Sequence, residues 1–186
     1  MPDSPIPDNQ MVTVMVAETT FAVLTMPGRK FRVDFVEKAE ARLKPGMRGE
    51  SMSCSEHPLL LSLNSRLVDV YITSRPQNPR QLLAEIRKRI QLVFQEWRDW
   101  RCVLFGRGAF GESHLRRNLL DGSGLLLSGA PLSVAQAVMN ACTEHGVSAY
   151  FLGEIENSPL ASPTFHLLLV GDKGYVIAQD FRFVEL

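Results

Sequence analysis

Three groups of residues in this chain have types and spacings that could do chemistry. Gly106-Arg107-Gly108-Ala109-Phe110-Gly111 spells G-x-G-x-x-G directly after an apolar run, Cys102 to Phe105. In a dinucleotide site such glycines permit a tight turn and let backbone amides approach a pyrophosphate at a helix N-terminus. That site also wants an acid about 20 residues on, for the ribose. Here the next strand-like run is Gly-Leu-Leu-Leu-Ser-Gly, without an acid. No Val-Ala-Ile-Lys strand follows, as a kinase glycine loop requires. The motif reads as a connection that uses glycine to turn, and no cofactor is expected.

Two Cys-x-x-His pairs form the second group, Cys54 with His57 and Cys142 with His145. Four such ligands would suit tetrahedral zinc. The spacing is not that of a zinc site, because Cys54 and Cys142 stand 88 residues apart. Cys142 is better read as a small core residue and His145 as a helix C-terminal residue favourable to the dipole. No metal site is expected. Nucleophilic catalysis would need Ser or Cys beside His and an orienting acid. No G-x-S-x-G elbow surrounds any serine, and no catalytic residue is assigned.

The third group is cationic. The chain of 186 residues has zero formal net charge, yet residues 75–117 hold ten Lys and Arg against four acids. Residues 118–186 hold two against seven. Arg80, Arg87, Arg98, Arg107, Arg116 and Arg117 form the candidate binding surface, since clustered guanidiniums bind phosphates and other anions. Sequence-tolerant nucleic-acid binding would also need aromatics on the same surface. Trp97 and Trp100 fall instead with the apolar stripe of the preceding helix, so nucleic acid is not favoured.

The elements that must position these groups follow from periodicity. At 100° per residue, Leu82, Leu83, Ile86, Ile90, Val93, Phe94, Trp97 and Trp100 lie within an arc of roughly 120°. Asn78-Pro79 supplies the N-cap and first position of that helix, predicted over 79–100. Arg80, Arg87, Gln91 and Arg98 fall on its far side. Ser133 and Gln136 read as a capping box for a second helix over 133–145, with Gly146 as its left-handed stop. A short helix is predicted at Ser113 to Leu120. Strands are predicted at Leu59–Leu63, Leu67–Thr73, Cys102–Phe105, Leu125–Leu127 and Val147–Leu152, with a hairpin over 165–184. Residues 10–36 alternate as a hairpin or meander around Pro27-Gly28, 37–42 read as a short helix or strand, and Glu50 to His57 read as a loop.

The expected fold is α+β, a mainly antiparallel sheet with a split βαβ (ferredoxin-like) core and two main helices on one face. N-terminal β-strands and a C-terminal β-hairpin complete it. Residues 1–10 are expected as a disordered tail, 11–57 as a β segment that extends the sheet or forms a small barrel, and 58–186 as the α+β domain. At 45% hydrophobic and 22% charged, the chain has the composition of an ordinary globular protein. No apolar stretch is long enough for a membrane-spanning helix. The acidic, Pro-rich N-terminus is unlike a signal peptide, so a cytoplasmic location is expected and no membrane partner.

With no catalytic motif surviving, the leading expectation is a non-catalytic interaction or regulatory protein that self-associates or takes a protein partner. The first alternative is a nucleic-acid or anion binder using the Arg-rich 75–117 region. The second is a ligand-binding protein or enzyme with its site under the 106–124 loop.

Overall fold

Alternating apolar residues at Val12 and Val14, Ala22 and Leu24, and Phe31 and Val33 make an antiparallel meander, as the sequence predicts. The computed structural model describes residues 6–105, 111–153 and 165–186. Among the described residues it is a mixed α+β structure with mostly antiparallel sheets and four helices. The chain divides into two units, residues 1–64 with 160–186, and residues 65–159. The first opens with β1 (Gln10–Ala17), β2 (Phe21–Met26), β3 (Arg29–Val36), β4 (Glu40–Arg42) and β5 (Arg48–Cys54). A 3-10 turn, Pro58–Leu60, then leads into the short α1 (Leu61–Asn64). The second unit runs β6 (Leu67–Ile72), α2 (Pro79–Phe94), a 3-10 segment (Trp100–Phe105), α3 (Gly111–Asp121), β7 (Gly124–Pro131), α4 (Leu132–Glu144) and β8 (Ala149–Leu152). The chain ends in the first unit with β9 (His166–Val170), β10 (Gly174–Ala178) and β11 (Asp180–Glu185).

In the first unit the sheet order is β11-β3-β2-β1-β5-β9-β10-β4. The ends meet because β10 runs into β11 across Gln179 alone, whose amide donates to the Val36 carbonyl at 3.0 Å. Opposite it, β3 bends at Glu37 (φ 47°) into β4, and Ala39 donates to Ile177 at 2.9 Å. Two long arms thus run antiparallel through a common bend, and the sheet closes on itself. Closure removes the unpaired edges that an open sheet would expose. Its interior is filled by Val12, Val14, Leu24, Phe31, Val170 and Phe181, among others.

Several expectations change here. The C-terminal hairpin is present, but β9 pairs with β5 and β11 with β3, so it completes the N-terminal sheet. Glu50 to His57 is not a loop: β5 covers most of it. Its period is hidden because the buried position, Ser51, is polar and donates its hydroxyl to the Pro7 carbonyl at 3.1 Å. Leu59–Leu63 is helical instead of extended, since Pro58 starts a turn that His57 caps through Nδ1, 3.2 Å from the Leu59 amide. Within the expected tail, Ile6 is buried in the core and the Asn9 amide donates to Ser51 at 2.7 Å.

In the second unit, β6 is the central strand of a three-stranded sheet, antiparallel to β7 and β8 on either side. α4 connects β7 to β8 and packs against α2. Cys102–Phe105 is not a strand. Asp99 caps it into 3-10 turns, accepting from the Arg101 amide at 2.8 Å through its side chain and from Cys102 at 3.0 Å through its carbonyl. The capping box at Ser133 does not form either: α4 starts one residue earlier, with Pro131 at the N-cap and no side-chain cap bond. Asn78 does cap α2, accepting from the Gln81 amide at 3.1 Å, and Gly146 takes φ 65° after α4. The stripe Leu82, Leu83, Ile86, Ile90 and Phe94 is buried as expected. No helix among the described residues is long and apolar enough to cross a membrane.

The tightest backbone approach in the closed sheet generates a stability prediction. A Cβ on Gly49 would lie 2.2 Å from Gly171 Cα, against backbone that cannot rotate away. Gly49→Ala should destabilise the fold by about 1–3 kcal/mol or more, as overpacking that no side-chain rotation relieves. Urea denaturation measures it, and a change below about 0.5 kcal/mol, the usual surface value, would contradict this packing.

Candidate anion-binding pocket

Helix α2 ends six residues before the predicted position. Gln95 takes φ 54°, and the Gln91 side chain holds the turn that follows. Its amide donates to the carbonyls of Gln95 and Arg98, the latter at 3.1 Å, and its Oε1 accepts from the Trp100 amide at 3.2 Å. Trp100 therefore stands beyond the helix, yet it is buried as the sequence expects. Its ring lies beneath two cations, with the Arg87 guanidinium 5.0 Å from the centroid and that of Arg101 at 5.5 Å. Arg98, expected on the same stripe as Arg80 and Arg87, lies beyond the helix end.

Helix α3 is set beside α2 by its own anchor. Leu115 and Leu119 are buried, and the buried Asn118 donates to the Leu125 carbonyl of β7 at 2.6 Å. Beside these, Glu112, Arg116 and Leu120 share another face at i, i+4 spacing. Arg87 donates through Nη2 to Glu112 Oε1, and Arg116 Nη2 donates to the same oxygen at 3.2 Å. One carboxylate thus bridges a cation from each helix.

Between α2 and α3 opens a pocket of about 390 Å³ lined by Pro79, Arg80, Leu83, Arg87, Arg116 and Leu120. That volume lies in the range of small-molecule sites. Three of the six arginines predicted as a binding surface, Arg80, Arg87 and Arg116, line this one pocket. Arg117 is exposed and does not line the pocket, nor does the half-buried Arg98. Arg107 and residues 106–110 of the glycine motif lie outside the described residues. Arg80 makes no ion pair among the described residues, and it occupies the first turn of α2, where the helix dipole adds positive potential. Glu112 does not line the pocket, so the bridging carboxylate backs the guanidiniums and leaves the pocket side to cations and apolar carbon.

Sequence reasoning missed Glu112, Leu83 and Leu120 as members of this site. The Glu112–Arg116 spacing is visible in the chain as an i, i+4 pair. The Glu112–Arg87 link spans 25 residues and follows only from how α3 packs. Three of the six described lining residues are arginines, whose guanidiniums can bind and orient an anion. Compared with protein-family models, curated proteins and solved structures, the chain matches none.

The two Cys-x-x-His pairs are not drawn into any such site. Among the described residues no group of three or more His, Cys, Asp and Glu could hold a metal. Cys142 is fully buried in α4, and burial pushes its thiol up to about 11. Cys54 is half-buried and also raised, by burial first and by Asp8 second, while Cys102 is exposed. The thiolate is the reactive form, so a raised and inaccessible thiol reacts slowly at neutral pH. Iodoacetamide labelling at pH 7.5, read by peptide mass spectrometry, should modify Cys102 first, Cys54 more slowly and Cys142 only after unfolding. Labelling of native Cys142 as fast as Cys102 would contradict its burial.

Proposed function

We propose that this protein is a non-catalytic binding protein whose second unit takes a small organic anion in the pocket between α2 and α3. One observation carries the reading: Arg80, Arg87 and Arg116 converge from two helices on a pocket whose remaining walls are Pro79, Leu83 and Leu120. Cations and apolar carbon in one enclosure suit a ligand with an anionic head and an apolar body. A guanidinium already held by a carboxylate and a ring loses little side-chain entropy on binding, which favours affinity. The alternative of a polynucleotide surface draws less support. Arg98 and Arg117 lie off the pocket, and Trp100 is covered by Arg87 and Arg101 instead of being offered for stacking.

The expectation of a self-associating interaction module has its own support in the three-stranded sheet. Leu67, Tyr150 and Leu152 are exposed there, and the rings of Tyr71 and Tyr150 stack at 5.4 Å. Scattered exposed apolar residues are common on monomers and need no function to explain them. The pocket is the stronger feature. The ferredoxin-like character of the second unit is likewise a proposal, supported by the α4 connection from β7 to β8 with β6 between them in the sheet.

Calorimetry with phenyl phosphate and benzenesulfonate tests the reading. At least one should bind saturably to the wild-type protein. The double substitution Arg80→Ala with Arg116→Ala should weaken that binding by about tenfold or more, since each removes a charge-assisted contact. Absence of saturable binding by both compounds, or binding unchanged in the double variant, would overturn it.

A further inference from the structure

We infer that the ligand of this pocket is a dianion, a phosphate monoester on an apolar group. The inference rests on the anion-binding reading above and narrows it to one class of head group. Among the described residues three arginines line the pocket and one carboxylate is bonded to two of them, a balance of two positive charges at the site. Two charges match a phosphate monoester, which is largely doubly ionised above its second pKa of about 6. A sulfate ester has the same tetrahedral shape and a single charge, so the same positive potential holds it less strongly.

The other charged groups of α2 and α3 do not line the pocket: Lys88 lies 4.0 Å from Glu85, and Arg117 and Asp121 are absent from its walls. Arg101, from the 3-10 segment, is paired with Asp99 at 3.0 Å. On α2, Glu85 is engaged by Arg89 at 2.7 Å, and Arg89 reaches on to Glu144 of α4. On α3, His114 lies against the Asn118 amide at 2.9 Å. Among the described residues the cations that line the pocket are Arg80, Arg87 and Arg116, with Glu112 bonded to the last two. Glu112 is a positioning residue: it joins Arg87 of α2 to Arg116 of α3, and it subtracts one charge from the pair. Arginine forks recognise phosphate through paired N–H donors, and the apolar walls at Leu83 and Leu120 accept the ester group.

The test compares phenyl phosphate with phenyl sulfate, equal in shape and different in charge, by calorimetry at low ionic strength. At pH 7.5 phenyl phosphate should bind wild-type protein at least about tenfold more tightly. At pH 5, where the phosphate carries one charge, that preference should fall to about twofold or less. Glu112→Gln removes a negative charge beside the site and should widen the preference at pH 7.5, since the added potential acts on both charges of phenyl phosphate and on one of phenyl sulfate. Equal affinities for the two esters at pH 7.5, both lost on Arg80→Ala with Arg116→Ala, would overturn the dianion inference and leave the anion pocket standing. A preference that persists unchanged at pH 5 would also overturn it, because charge would not be its source. Failure of both esters and of benzenesulfonate to bind would remove the pocket reading itself. The wild-type pH comparison keeps the inference open to refutation should the Glu112 variant misfold.

Discussion

The pocket depends on where α2 stops, because the turn beyond that stop sets the buried Trp100 ring as a platform for Arg87. Gln91 holds this turn with three hydrogen bonds to the chain after Phe94, to Gln95 and Arg98 and from Trp100. Gln95 accepts a left-handed φ of 54°, an uncommon conformation outside glycine, and the bonds from Gln91 hold it there. The guanidinium of Arg87 then has a ring on one side and Glu112 at its end. It is held by both, while Arg116 is more exposed and Arg80 has no paired acid among the described residues.

The second requirement is the seat of α3. Asn118 is a buried polar residue, and it is satisfied by the Leu125 carbonyl and by His114. A buried amide left without partners would cost about 1–3 kcal/mol, so these bonds fix the helix against β7 as well as orient it. Gly124 meets the same amide, and a Cβ at that position would lie only 3.0 Å from Asn118 Nδ2. The result is a helix whose i, i+4 face, Glu112 to Arg116 to Leu120, is held toward α2. In the first unit the corresponding constraint is the shared bend at Glu37 and Gln179, which closes the sheet without a further strand.

Much of the local structure was legible in the sequence, and the reasons are local. Asn78-Pro79, the apolar stripe of α2, the Pro27-Gly28 turn and Gly146 each act within a few residues, so their chemistry shows in the chain itself. β5 was not legible, because Ser51 fills a buried position normally marked by an apolar residue. Cys102–Phe105 reads as a strand by composition, yet Asp99 one turn earlier takes its amides first. The pairing of β5 with β9, and of β3 with β11, joins segments more than a hundred residues apart, which periodicity cannot rank. At the site, the arginines were visible by type and spacing. The carboxylate that joins two of them was not, since its partner Arg87 is on another helix.

The most direct measurement is a nuclear magnetic resonance titration that follows arginine Nε–Hε and backbone amide signals as phenyl phosphate is added. The account predicts saturable shifts at Arg80, Arg87 and Arg116, with the Trp100 indole N–H following Arg87. Arg98 and Arg117 should stay near their starting positions, as should the amides of the closed sheet. Shifts centred on Arg117 or on the closed sheet, or none that saturate at Arg87, would contradict the claim that this pocket is the binding site.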